Sequence, residues 1–383
     1  MVHLELPPLS LYVHIPWCVE KCPYCDFNSH ALKGEIPELQ YVEALLADLR
    51  QDLLWVQGRE IQTVFIGGGT PSLLSVKAMT RLINGLKDTV AFAYNAEITM
   101  EANPGTVEAE KFAGFVAAGI TRISIGVQSL HSRQLNLLGR IHDKDQAITA
   151  IELASQLPLQ SFNIDLMHGL PEQQLKHGLD DLAQAIQLAP PHLSWYQLTL
   201  EPNTHFYRKP PKLPDEEVLV DIFEQGHQRL TQAGYERYEI SGYSKPGHQC
   251  SHNLNYWTFG DYLGIGCGAH GKITVVDSQR LLRTSKVASP ASYLTPSKNP
   301  RISLTDVADD DRAFEYFMNR ARLTSAAPLE EFERRTGQCR TQILPYLEQQ
   351  AGMGLMILEE ANWQMTNKGL TYFNNVLEPL IRT

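Results

Sequence analysis

From residue 9 to about 243 the chain alternates short β-branched or aromatic runs with amphipathic helical patterns. No other feature limits the fold as strongly. The runs are LSLYVHI (9–15), IQTVFI (61–66), AEITME (96–101), TRISIGV (121–127), SFNIDLM (161–167) and HLSWYQLTL (192–200). Within the helical pattern at 172–188, Leu175, Leu179, Leu182 and Ile186 recur at turn spacing, which gives one buried stripe. A further helix is expected over 215–233. Strand–helix alternation of this kind predicts a parallel α/β architecture, either a barrel or a doubly wound sheet. The positions of the unusual residues decide between the two. Cys18, Cys22 and Cys25 follow the first run and GGGTP (67–71) the second; Glu101 ends the third, Gln128 follows the fourth, and Asp165 lies near the end of the fifth. A barrel gathers all of these at its C-terminal face, whereas an open sheet collects only some at its switch point. The expected fold class is α/β, a partial (βα)6-type barrel spanning 1–245.

After residue 245 the texture changes. HQCSHNLNYWTFGDYLGIGCGAHG is rich in glycine and aromatics without clear periodicity, and a polar connection including SPASYLTPSKNP covers 283–308. Residues 246–308 are therefore expected to form a connecting segment and 309–383 a small α+β domain. In the latter, helical patterns at 312–322, 328–335 and 339–351 precede a hairpin with Ala361-Asn362 near its turn, the outline of a winged helix. Residues 312–383 hold eight Lys/Arg against eight Asp/Glu, and the whole chain carries a net charge of −10. Neither offers the basic face that nucleic acid requires. No run approaches the ~18 apolar residues of a membrane span, and the N-terminus lacks the pattern of a secretory signal. A cytoplasmic location is expected, where cysteines serve metals or catalysis more often than disulfides.

Three cysteines at the spacing C-x3-C-x2-C do not follow from burial alone. A structural zinc site closes with four ligands, and His30 or Asp26 would have to supply the last one. Closely spaced thiolates suit an iron–sulfur cluster better, since each takes one iron. With three thiolates, a four-iron cluster keeps one iron open for another ligand.

C-x3-C-x2-C with Tyr24 before the last cysteine resembles the signature of the radical S-adenosylmethionine superfamily. The resemblance implies a 4Fe-4S cluster on Cys18, Cys22 and Cys25. The amino and carboxylate groups of S-adenosylmethionine would chelate the fourth iron, and electron transfer would cleave the sulfonium to a 5′-deoxyadenosyl radical. GGGTP is similar to the superfamily's glycine motif, which places Gly68, Gly69 and Thr70 at the methionyl ammonium group. The GGGTP variant, Glu101 in TMEANPG, Gln128 in IGVQS, Arg140 in LLGRIHD and Asp165 in NIDLMHGLP resemble the branch containing oxygen-independent coproporphyrinogen oxidase. There the last four positions hold the ribose hydroxyls, carboxylate and amine of the nucleotide. Tyr12 matches a cluster-side contact of the same branch, and Tyr24 belongs to the same nucleotide site.

Within that branch two readings separate. The oxidases carry a fourth cysteine two residues after the third, where this chain has Phe27. They also have an N-terminal extension ahead of the first strand, and an Arg-Asn…Tyr segment where this chain reads HNLNYW (252–257). These departures match a sister family of bacterial haem chaperones, which deliver haem to respiratory haemoproteins. That resemblance implies a haem site with His252, Asn253, Tyr256 and Trp257, to which Phe259 adds apolar surface. Cys250 is an alternative axial thiolate, and Cys267 and Cys339 receive no role. It further implies a homodimer, a ferritin-type haem donor and transient membrane association through partners. The rival functions are coproporphyrinogen dehydrogenation by a 5′-deoxyadenosyl radical, and a radical methyltransferase or cyclopropanase.

Overall fold

The computed structural model describes residues 2–295 and 299–381. The six runs form six strands: β1 (Leu9–Ile15), β2 (Ile61–Gly68), β3 (Phe92–Ala102), β4 (Arg122–Gln128), β5 (Ser161–His168) and β6 (His192–Gln197). They lie side by side in chain order, each parallel to the next. The expected partial (βα)6 barrel is present. β3 begins four residues before the expected run, and β6 ends at Gln197 rather than at residue 200.

The two faces of these strands differ in chemistry because successive side chains alternate. Leu9, Leu11, Val13, Val64, Ile66, Ile98, Met100, Ile123 and Ile125 belong to one large buried core. Helices α1 (Glu38–Asp52), α2 (Val76–Thr89), α3 (Phe112–Ala118), α4 (Lys144–Gln156), α5 (Leu175–Gln187) and α6 (Glu216–Gln232) place their buried residues in the same layer. The alternate positions, Ser10, Thr63, Glu97, Glu101, Ser124, Asn163 and Asp165, are polar and bond to one another or to neighbouring backbone inside the barrel.

Beyond β6 the short antiparallel strands β7 (Glu236–Arg237) and β8 (Gly242–Ser244) close one edge. HNLNYW forms most of α7 (Ser251–Trp257), and β9 (Asp261–Ile265) then pairs parallel with β1 on its free side. β10 (His270–Val275), β11 (Arg280–Lys286) and β12 (Arg301–Asp306) follow antiparallel, making a twelve-stranded sheet in the order β12-β11-β10-β9-β1-β2-β3-β4-β5-β6-β8-β7. The sequence between 261 and 306 thus holds strands where no periodicity was expected. Buried charges break the pattern there. Asp261 accepts from Arg59, from Lys272 (3.1 Å) and from Thr274, while Lys286 reaches Asp48 and Asp52 at 2.6 Å each. Residues 296–298 of the proline-bearing connection lie outside the described residues.

The C-terminal part contains α8 (Arg312–Arg320), α9 (Leu329–Thr336) and α10 (Leu344–Gly352). Its small sheet has the order β13 (Ala327–Pro328), β15 (Asn362–Met365), β14 (Met356–Leu358). The expected hairpin is β14–β15, with Ala361 in its loop and Asn362 opening the second strand. Tyr316, Phe317, Phe332 and Trp363 centre a second core, which also takes in Phe259 and Leu281 from the first unit.

Candidate functional site

The loop after β1 carries the three cysteines, and backbone bonds hold it over β2. Gly69 N donates to Ile15 O and Thr70 N to Trp17 O, both at 2.7 Å, and a two-residue bridge pairs Trp17–Cys18 with His30–Ala31. Asn28 Nδ2 ties the loop's far side to Cys267 O (3.0 Å) and Ala288 O (3.1 Å). Cys18, Cys22 and Cys25 are free thiols lining one cavity of about 290 Å³. Burial pushes the Cys18 and Cys25 thiols up, and for Cys25 it outweighs the opposing charge of Lys21. Among the described residues no three His, Cys, Asp or Glu side chains converge on a point where one metal ion would sit. A cluster asks for less convergence, since each thiolate meets its own iron.

The same cavity gathers the strand-end residues singled out above: Tyr24, Gly68, Gly69, Thr70, Glu101, Gln128, Arg140 and Asp165 all line it. Its glycines are required by space. A Cβ on Gly69 would lie 2.5 Å from Trp17 O, and one on Gly68, whose φ is 110°, would enter the His14 ring at 2.4 Å. Glu101 Oε2 accepts from Gly68 N at 3.0 Å. Burial, with the nearby Asp165 carboxylate adding to it, pushes the Glu101 carboxyl up to about 7. Asp165 accepts from Asn163 Nδ2 (2.8 Å) and Ser124 Oγ (3.2 Å). Gln128 sits at φ 68° with its Oε1 accepting from Tyr196 OH at 2.8 Å. Arg140 Nη2 donates to Asn103 Oδ1 (2.7 Å) and Gly126 O (2.8 Å), Nη1 points at Cys22 Sγ (3.5 Å), and Nε is buried without a partner. Tyr24 packs against Phe206 at 6.3 Å between ring centres.

Sequence reasoning passed over Asn103, Tyr196, Ser124 and Asn163. Asn163 and Asp165 share one side of an otherwise apolar strand, a period-2 signal that could have found Asn163. A lone Asn103 or Tyr196 gives no such signal.

Tyr12 is the exception among the nucleotide candidates. Its hydroxyl bonds His14 Nδ1 (2.9 Å), its ring stacks near Phe65 (6.5 Å), and it lines a second cavity of about 700 Å³. Tyr256, Trp257 and Phe259 line that cavity too, and Phe27 lines both. His252 lines neither and is fully buried: Nδ1 bonds Thr63 Oγ1 (2.7 Å) and Nε2 bonds Tyr256 OH (2.8 Å). Burial lowers its pKa to about 3, so the ring is neutral. Asn253 lies beside it on α7 and lines neither cavity. Cys250 is buried against Glu97, which also accepts from the Ser251 and His252 amides; burial holds this thiol protonated, at about 12.

Residues 12–182 match the radical SAM superfamily and residues 307–372 the HemN C-terminal domain. Coproporphyrinogen III oxidase (HemN) from Escherichia coli, a radical SAM enzyme, superposes with a TM-score of 0.82 over 98% of this chain and 90% of its own. At 24% identity it shares the fold alone. The heme chaperone HemW of Escherichia coli K12 is 57% identical over 375 residues, covering 98% of both chains. That of Haemophilus influenzae is 53% identical over 384 residues with the same coverage, and that of Buchnera aphidicola from Schizaphis graminum is 43% identical over 374. The chain belongs to the HemW family. HemW membership within the radical SAM superfamily brings with it a 4Fe-4S cluster and S-adenosylmethionine. The donor set fits both groups: three thiols on one cavity, a glycine floor that admits close approach, and an arginine with an unmatched Nε. No helix among the described residues is long and apolar enough to cross a membrane.

Proposed function

We propose that this protein is a haem chaperone that holds a 4Fe-4S cluster and S-adenosylmethionine beside its haem and hands the haem to respiratory haemoproteins. The observation that carries the reading is the 57% identity to a heme chaperone across 98% of both chains. Phe27, exposed at the cluster rim where the oxidases have a further cysteine, agrees with it.

In this reading Cys18, Cys22 and Cys25 would hold the cluster, and S-adenosylmethionine would bind beside it in the same cavity. When bound, the reduced cluster supplies one electron to the nucleotide's sulfonium group. The chain's own residues do the rest. Gly68, Gly69 and Thr70 present backbone to the methionyl ammonium, Glu101 and Asp165 accept from the ribose hydroxyls, and Gln128 orients them. Arg140 offers a charged fork to the carboxylate while steadying Cys22, a role no single-point cation fills as well. Tyr24 covers one side, and Tyr12 acts through His14 beneath Gly68. Haem lies in the larger cavity against Tyr256 and Trp257; His252 holds Tyr256 upright from behind, with Asn253 on the same turn. The chaperone is a cytoplasmic homodimer that receives haem from a ferritin-type donor and meets membranes only through its recipients.

The test is a haem titration of the reduced, cluster-reconstituted protein with a parallel coproporphyrinogen assay. Tight stoichiometric haem binding without protoporphyrinogen formation is expected. Turnover of coproporphyrinogen would make the protein the oxidase instead.

A further inference from the structure

Asp165 lines the cysteine-bearing cavity, and two neutral donors hold its carboxylate. Asn163 Nδ2 reaches Oδ1 at 2.8 Å and Ser124 Oγ reaches Oδ2 at 3.2 Å. Burial pushes this carboxyl up, and the hydrogen bonds work against that. Asn163 sits two residues earlier on the same side of β5, is buried, and does not line the cavity.

One backbone amide fixes the direction of the bonds in this group. Ser194 N–H can only donate, and it meets Asn163 Oδ1 at 3.0 Å, so that atom is the amide oxygen and Nδ2 is the end turned to Asp165. Ser124 Oγ accepts from Asn163 Nδ2 (2.7 Å) and passes its own hydrogen to Asp165. His192 stands opposite Asn163 in the β5–β6 register, and its Nδ1 donates to Asn163 Oδ1 at 2.6 Å. Burial lowers the His192 pKa, so the ring is neutral and Nε2 is an acceptor, which Tyr238 OH meets at 2.8 Å. The Tyr238 oxygen in turn accepts from Cys250 N at 3.4 Å. The donors therefore run one way, from the start of α7 through Tyr238, His192 and Asn163 to Asp165. Bonds in such a chain polarise one another. Burying these side chains costs free energy that an apolar trio would avoid, and the chain ends on the one carboxylate that β5 presents to a cavity.

We propose that Asn163 and His192 are positioning residues that hold Asp165 in place as acceptor of the nucleotide's ribose hydroxyls. The proposal rests on the nucleotide-site reading above and deepens it. Asn163 acts on Asp165 directly, and His192 acts through Asn163 by its Nδ1 donor.

The experiment is equilibrium dialysis of the full-length, cluster-reconstituted protein against S-adenosylmethionine and against its analogue lacking both ribose hydroxyls. The wild type is expected to bind the analogue about tenfold or more weakly. Asn163→Leu should bind S-adenosylmethionine about tenfold more weakly, as for a lost hydrogen bond to a charged group, yet bind the analogue as the wild type does. That double comparison isolates the contact made through the hydroxyls, which general loosening of the fold would not do. His192→Asn keeps a donor where Nδ1 stands and should retain affinity, whereas His192→Gln, whose amide falls nearer Nε2, should weaken S-adenosylmethionine binding several-fold. Equal weakening for both ligands in Asn163→Leu would overturn the proposal, as would identical binding by the two His192 variants. If Asn163→Leu loses its cluster, the His192 pair decides the matter alone. A wild type that binds both ligands equally would instead overturn the ribose reading of Asp165, and one that binds neither would overturn the nucleotide site itself.

Discussion

Gly69 shows how little freedom the nucleotide site has at the level of one atom. A methyl group there would press on Trp17 O, a backbone atom that cannot step aside. Gly69→Ala is expected to cost about 1–3 kcal/mol of stability by overpacking and to abolish nucleotide binding, measured by chemical denaturation and equilibrium dialysis. Cys22→Ala should remove an iron ligand and an Arg140 contact together; retention of a full four-iron cluster by iron and sulfide analysis would contradict the assignment. Glu101 titrates near neutrality, which gives a pH signature. Its folded pKa is raised, so its contribution to stability is fully present below the ordinary carboxylate value near 4.5 and is lost as pH rises through about 7. Donor hydroxyls on the ribose favour the ionised form, so nucleotide affinity should tighten several-fold between about pH 6 and 8. Glu101→Gln should flatten that dependence. The thiolates and glycines were legible because their spacing is unusual. Asn103 and Tyr196 were not, since a single polar residue near a strand end looks like any solvated one.

At the level of elements, α7 is the piece whose surroundings could not be read from the sequence. HNLNYW resembles a ligand motif, yet the helix sits with its N-terminal amides on Glu97 and with His252 bridging Thr63 and Tyr256 inside the barrel. Three-dimensional neighbours decide what such a histidine does, and neither Thr63 nor Glu97 is near it in sequence. His252 has a depressed folded pKa of about 3, so its contribution to stability is present above about 6.5 and is lost progressively as pH falls toward 3. Each pH unit in that window removes at most about 1.4 kcal/mol through this residue. Glu101 opposes this in the same window, so the effect of His252 is read as a difference: on going from pH 7 to 5 the urea midpoint of His252→Gln should fall less, or rise more, than that of the wild type. Strands β9–β12 escaped notice for a related reason. Lys272 and Thr274 are buried and both donate to the buried Asp261, so the strands that hold them lack an apolar alternation. β12 leaves Ile302 and Leu304 exposed, which blurs its pattern further. The first six strands were readable because their outer faces are continuously apolar.

For the whole molecule, two cavities adjoin on one extended sheet: a small one lined by the three cysteines, and a larger one bordered by the C-terminal part. Their adjacency was invisible in the sequence, because Phe27, His270 and Met318 come from three distant segments. Haem bound only by the folded chain must stabilise it, by about 2.7 kcal/mol at a haem concentration a hundred times the dissociation constant. The thermal midpoint should rise with haem and fail to do so with a porphyrin-free iron salt. The most direct measurement is transfer: haem-loaded protein is mixed with an apo-form respiratory haemoprotein, and the haem absorption of each is followed after separation. The account predicts that haem moves to the recipient and restores its activity. Haem that stays on this protein, or passes no faster than free haem supplied alone, would contradict the central claim.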